Sequence, residues 1–365
     1  VVGVSKLKEL IEILQHPEQA GKTVVDVDAL FSEQAAESEG QEDFAQIYGQ
    51  TEVKRAAEIA AAGMHNFLMI GPPGSGKTMI ARRIPGILPR LSLEESLEIT
   101  KIYSIAGLLP ERGSLLLKRP FRSPHHTTTA EALAGGGRIP GPGEVSLSSK
   151  GILFLDELPE FRRDVLEAMR QPLEEGAVTV ARASGTLHLE EKRICISRTA
   201  GTYTFPADFM LVAAMNPCAC GYYPDRNRCC CAQRDVIRYL GKLSQPLLDR
   251  IDICANVSPV GFDALQQTGK EESTAEIRTR VEQAHEIQKE RYLGLKARFN
   301  AQLGAGDTEK YCGLGKKEKE LLGDAFDALN LSARAYHRIV RVARTIADLE
   351  GKEQIEERHI LEALG

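Results

Sequence analysis

Phe67-Leu-Met-Ile-Gly71-Pro-Pro-Gly-Ser-Gly-Lys77-Thr78 is the stretch on which the fold turns. Four apolar residues form a short buried strand, a glycine-rich turn follows, and Met79-Ile-Ala-Arg-Arg-Ile opens a helix expected to end before Pro85. In that context glycines let backbone N–H groups converge on phosphate oxygens, and the helix N-terminus adds the positive end of its dipole. Gly71, Pro72, Pro73, Gly74, Ser75 and Gly76 form the cradle, and Lys77 brings a point charge to the β- and γ-phosphates of ATP. The Thr78 hydroxyl is a Mg²⁺ ligand, and Met79 completes the run expected to touch nucleotide. The alternative, a chance glycine-rich loop, does not account for the flanking strand and helix.

Two further apolar runs lead to polar side chains. Gly151-Ile-Leu-Phe-Leu delivers Asp156 and Glu157. Asp156 suits the metal, and Glu157 is placed to polarise the attacking water. Met210-Leu-Val-Ala-Ala-Met ends at Asn216, an amide able to hold that water near the γ-phosphate, or else the turn residue before Pro217. A helix is expected over Thr51–Ala62, with Gly63 as its C′ residue. Strands alternating with helices give an α/β fold with a parallel sheet between helices. Ile339, Val342, Ala343 and Ile346 then repeat at helical spacing, as in a small all-helical C-terminal lid domain. The expected division is 1–43 (an amphipathic segment and an acidic linker), 44–267 (the core, with a cysteine-rich insert at 218–231) and 268–365 (the lid).

The 365 residues are 42% hydrophobic and 27% charged, with a net charge of −5, so the chain is not broadly basic. Nucleic-acid contact would therefore need a local patch or an assembled channel. No apolar run is long enough to span a membrane and no secretory signal is visible, so a cytoplasmic protein with no membrane contact is expected. The first residue is Val1 rather than Met, as expected of a piece of a longer protein.

Five of the eight cysteines lie between Cys218 and Cys231. Cys218-Ala-Cys220 and Cys229-Cys-Cys231 offer two short pairs that can converge on Zn²⁺ through Cys218, Cys220, Cys229 and Cys231; the alternative is free buried thiols. Cys195, Cys254 and Cys312 are isolated. Arg250, in Leu247-Leu-Asp-Arg-Ile-Asp252, is either a charge supplied to a neighbour's nucleotide or a salt-bridge partner of Asp249 or Asp252. Arg334 is a candidate to reach phosphate from the lid, while Arg338 and Arg341 continue its stripe on a solvated face. Two basic loops, Lys118–His126 and 135–143 with Arg138, either touch nucleic-acid phosphates or are structural, and His125 and His126 read as hydrogen-bonded structural residues. One duplication stands out. Val178-Thr-Val-Ala-Arg-Ala-Ser-Gly-Thr-Leu-His-Leu aligns without gaps to Ile194-Cys-Ile-Ser-Arg-Thr-Ala-Gly-Thr-Tyr-Thr-Phe, each copy a strand-turn-strand piece.

Arg119-Pro-Phe-Arg-Ser-Pro-His-His-Thr, Pro142-Gly-Glu-Val-Ser-Leu, Gly151–Phe161, Arg170-Gln-Pro-Leu-Glu, Met215-Asn-Pro-Cys and Pro246-Leu-Leu-Asp-Arg-Ile-Asp resemble the YifB/ComM family of magnesium-chelatase-like AAA+ P-loop ATPases, from about Ile47 to the C-terminus. The resemblance implies a homo-oligomeric ring, a hexamer, with ATP between subunits. It places Tyr48, Gly49 and Gln50 on the adenine side, Asn216 as sensor 1, Arg250 as the arginine finger and Arg334 as sensor 2. It also implies DNA as the partner, through a branch-migration helicase of natural transformation within the family; chelatase ATPase subunits and MCM helicases are more distant relatives. The departures are a missing Lon-protease-like domain (only its tail fits in residues 1–25), the 16-residue duplication, and Cys-Ala-Cys with Cys-Cys-Cys in place of Cys-Pro-Cys with one spaced pair. An ATP-driven motor on DNA is the expectation; a chelatase-type remodeller of a partner protein and a chaperone-like adaptor are the rivals.

Overall fold

The computed structural model describes residues 7–16, 42–109, 115–136, 141–174, 180–182, 185–190, 193–198, 201–259, 261 and 271–365. Two units are distinguished, Val1–Gln41 and Glu42–Gly365. The first contains helix α1 (Leu7–Gln15), which leaves Leu10, Ile11 and Leu14 exposed.

In the second unit the helices are α2 (Thr51–Gly63), α3 (Lys77–Ile87), α4 (Leu93–Ile105), α5 (Ala130–Ala134), α6 (Glu144–Leu147), α7 (Arg163–Glu174), α8 (Gln233–Leu240), α9 (Gln245–Leu248), α10 (Thr274–Arg291), α11 (Ala305–Tyr311), α12 (Lys316–Ala328), α13 (Ala333–Leu349) and α14 (Glu357–Leu364). The strands are β1 (Phe67–Ile70), β2 (Phe121–Arg122), β3 (Gly135–Gly136), β4 (Gly141–Pro142), β5 (Ile152–Leu155), β6 (Val180–Arg182), β7 (Gly185–Glu190), β8 (Arg193–Arg198), β9 (Gly201–Pro206), β10 (Met210–Met215) and β11 (Ile253–Asn256).

The central sheet is parallel, in the order β11-β1-β10-β5-β2. Its central strands β1, β10 and β5 are apolar on both faces because helices cover both. Phe67, Met69, Phe154, Val212 and Ala214 pack with α2, α3 and α10. Leu68, Leu153, Leu155, Leu211, Ala213 and Met215 pack on the other side with Val165, Leu166 and Met169 of α7. Period-two alternation thus builds two cores from one sheet. The C-terminal helices form a third apolar cluster around Tyr292, Leu322, Val340, Ala343 and Ile360, while Ile277, Val281 and Ala284 of α10 belong to the core of the sheet.

Two helix ends differ from the sequence expectation. Pro85 lies inside α3, because burial of Ile80, Ile84 and Ile87 carries the helix past the missing N–H. Gly63 is the last helical residue, and Met64 takes the left-handed conformation at φ 55°. The glycine serves close approach instead: a Cβ there would lie 2.3 Å from the His65 ring and 2.6 Å from Thr345 Oγ1.

The duplicated segment forms a separate four-stranded antiparallel sheet, β6-β7-β8-β9, with one hairpin per copy and the copies joined by β7–β8 pairing. Lys192 and Arg138 lie outside the described residues.

Candidate functional site

The end of β1 runs straight into the phosphate loop, whose Gly71 N–H donates to Met215 O of β10 (3.2 Å). Gly74 and Gly76 hold φ of 75° and 92°, which side-chain-bearing residues rarely adopt, and α3 starts at Lys77 with its N-terminus aimed at the loop. Lys77 is buried; its Nζ donates to Gly71 O and Pro72 O (both 2.8 Å) and to Asn216 Oδ1 (3.2 Å). Burial holds this ammonium below the ordinary lysine value, and Asp156 pulls the other way. Ser75 Oγ is buried with no hydrogen-bond partner among the described residues. An orphaned hydroxyl beside a buried cation fits a phosphate-binding cradle. Met79 is exposed on the first turn of α3.

Thr78 Oγ1 donates to Asp156 Oδ2 at 2.8 Å, so the hydroxyl and carboxylate expected at Mg²⁺ already meet. Glu157, at φ 52°, follows the strand end in the left-handed region. A non-glycine residue is held there only where the surrounding structure imposes it. Its Oε2 lies 3.3 Å from His126 Nδ1, so His126 touches the expected base, a contact the sequence reading missed. His125 is exposed rather than held inside, its Nδ1 2.9 Å from Thr127 Oγ1 two residues on.

Tyr48, Gly49 and Gln50 line a cavity of about 260 Å³ together with Asn256, Ser258 and Pro259. Gln50 Nε2 donates to Ser258 O (2.5 Å) and Ser75 O (3.3 Å), joining this cavity to the phosphate loop.

Arg250 and Arg334 are not brought to this loop. Arg250 precedes β11, and its carbonyl accepts from Asn66 Nδ2 (2.8 Å) just before β1, at the strand-start edge of a parallel sheet whose strand ends carry the phosphate loop. Arg334 Nη1 lies 3.8 Å from Asp249 Oδ2, so both arginines occupy that opposite edge. Asn66 is a second residue the sequence reading missed: it also accepts from Leu211 N and binds Asp252, pinning the starts of β1, β10 and β11. Arg338 and Arg341 are not on a solvated face. Arg338 donates to Ile251 O (2.7 Å), and Arg341 donates to Leu303 O (2.8 Å) and pairs with Asp252 (3.5 Å). Their guanidinium groups satisfy carbonyls that packing of α13 against the core would otherwise strand.

Cys218, Cys220, Cys229 and Cys231 gather so that all four Sγ atoms lie within 4.8 Å of one another. The Cys218–Cys220, Cys218–Cys229 and Cys220–Cys229 separations are 3.4, 3.8 and 3.6 Å. Val236, Tyr222 and Tyr223 pack around them. The Tyr222 backbone N–H draws the Cys220 thiol down to about 6.

A family profile described as magnesium chelatase, subunit ChlI, matches residues 43–189 and 187–265, and its C-terminal companion matches 271–365. The chain belongs to the magnesium-chelatase family. In the plainest terms it is a ComM/YifB-like AAA+ protein of that family. The overlap of the two core matches at 187–189 falls inside the duplication. The chain is 44% identical over 328 residues to "Competence protein ComM" of Haemophilus influenzae (88% of this chain, 59% of that protein). It is 45% identical over 327 residues to YifB of Salmonella typhimurium (88% and 60%) and 40% over 311 residues to Rv2897c of Mycobacterium tuberculosis (85% and 58%), both uncharacterized. The chain thus spans about three fifths of the length of these relatives. Among the described residues no helix is long and apolar enough to cross a membrane.

Proposed function

We propose that this chain is the ATPase core of a ring motor, a hexamer, that hydrolyses ATP between subunits and moves along DNA, driving branch migration in DNA uptake or recombination. The observation that carries the ring is the separation of Arg250 and Arg334 from the phosphate loop of their own chain: each site is finished by the opposite edge of a neighbour. Exposed Leu93, Leu97 and Ile105 on α4 offer apolar surface for such a contact. Within a site, Lys77 exchanges its loop carbonyls for phosphate oxygens, and Thr78 and Asp156 hold the metal. Mg²⁺, when bound, neutralises charge developing on the β- and γ-oxygens. Glu157 accepts the proton of the attacking water, Asn216 orients that water, and Tyr48, Gly49 and Gln50 receive the adenine. Zn²⁺ belongs to this reading as a structural ion, since all four cysteine positions are sulfur and leave no open place for water.

DNA is favoured by the paired hairpins β6–β9, whose sequence carries Arg182, Lys192, Arg193 and Arg198, and by the name of a 44% identical competence protein. A cytoplasmic location follows from that role. The test is DNA affinity of the assembled full-length protein against salt: a steep fall is expected, and binding that ignores salt, or none, contradicts it. A chelatase-type role, favoured by the family's description, would instead give ATPase activity stimulated by a partner protein and not by DNA.

A further inference from the structure

We propose that Zn²⁺ held by Cys218, Cys220, Cys229 and Cys231 braces the phosphate loop, so that the metal sets ATP affinity from outside the nucleotide site. The proposal deepens the structural-zinc reading above. Sulfurs at about 2.3 Å from a tetrahedral ion are separated by about 3.8 Å. The three separations of 3.4, 3.6 and 3.8 Å fit that edge, and a disulfide would need about 2.05 Å. The Tyr223 N–H points at Cys218 Sγ (3.4 Å), the outer hydrogen bond that steadies a thiolate ligand.

Position gives the cluster its consequence. Cys218 is two residues past Asn216, whose Oδ1 accepts from Lys77. Gly221 closes the first cysteine pair with a turn at φ 86°, its N–H donating to Cys218 O (3.0 Å). A Cβ on Gly221 would lie 2.4 Å from Pro73 Cδ and 2.9 Å from its Cγ. The cysteine turn therefore bears directly on the phosphate loop with no room for one methyl group. Four bonds to one ion fix that turn; without the ion, four neighbouring thiols hold neither the turn nor the wall it presents to Pro73.

The test uses the full chain purified without added metal. Metal analysis should find about one Zn²⁺ per chain. Binding of a fluorescent ATP analogue is then measured before zinc is displaced by a mercurial, after displacement, and after thiol and Zn²⁺ are restored. Affinity should fall roughly tenfold on displacement and return on restoration. Gly221→Ala keeps all four ligands and should retain zinc while losing ATP affinity to a similar degree; if that variant does not fold, the displacement series on the wild type decides. Iron or no metal in the purified protein overturns the site. Zinc whose removal leaves ATP affinity within twofold overturns the brace. Lys77→Ala separates the readings, because it should lose ATP binding and keep its zinc; wild-type ATP binding in that variant faults the nucleotide site and not the metal.

Discussion

Arg250→Ala discriminates between a site completed within one chain and a site completed by a neighbour. The Arg250 backbone lies at the strand-start edge of the sheet, and the phosphate loop leaves the strand-end edge of β1, which is four residues long. Four residues of strand span about 13 Å. Across that distance in water a unit charge contributes about 0.3 kcal/mol, and physiological salt reduces this below about 0.1 kcal/mol. Acting on its own nucleotide, Arg250 would therefore change the rate by less than about twofold. At about 4 Å from a neighbour's phosphate, in a partly water-excluded interface, the same charge is worth about 4 kcal/mol, or roughly a thousandfold in kcat. The assay is steady-state ATP hydrolysis against protein concentration, for wild type, for Arg250→Ala, and for an equal mixture of Arg250→Ala with Glu157→Gln. The wild-type rate per chain should rise with concentration, each variant alone should be nearly inactive, and the mixture should recover activity at roughly a quarter of its interfaces. A concentration-independent rate that Arg250→Ala leaves within twofold would refute the reasoning.

Other outcomes follow from the same geometry. Glu157→Gln should bind ATP with near wild-type affinity and turn over at least about a hundredfold more slowly, because an amide accepts no proton; wild-type turnover would remove Glu157 as the base. Burial pushes the His285 imidazole down to about 4, with Arg119 adding to it and the Ala61 carbonyl, Glu95 and Glu286 opposing. The unfolded chain then takes up this proton first, so the stability is present above about pH 6.5 and is lost as pH falls towards about 4. Chemical denaturation of His285→Gln should show a flatter loss over that window than wild type. Lys192→Ala with Arg193→Ala should lower DNA affinity and flatten its salt dependence while sparing the basal ATPase rate, read by fluorescence anisotropy on the assembled ring.

Much of the fold was legible because its central strands are apolar runs with polar ends. Phe67–Ile70, Ile152–Leu155 and Met210–Met215 each deliver a chemically distinctive residue, and each is buried almost throughout. The flanking strands were not legible. Phe121–Arg122 is two residues long, and Ile253–Asn256 alternates half-buried and exposed residues at the sheet edge, so neither stands out from a loop. Local rules misplaced the ends of α2 and α3, because the close approach of His65 and Thr345 to Gly63 and the burial of Ile87 are set by distant parts of the chain. The site shows the same division. Lys77, Thr78 and Asp156 are adjacent to their signals in sequence, whereas His126 against Glu157, Gly221 against Pro73 and Asn66 beneath Arg250 are contacts made only by folding. Arg338 and Arg341 misled for a related reason: charge on a helix reads as solvated until the carbonyls it will meet are known.

The central claim, an ATP-driven motor on DNA, is tested most directly by the steady-state ATPase rate of the full-length protein with and without DNA. Glu157→Gln serves as the blank. DNA should raise the wild-type rate severalfold, in a salt-sensitive manner, and leave the blank at zero. A wild-type rate that is robust yet unchanged by single-stranded, duplex and branched DNA would contradict the claim.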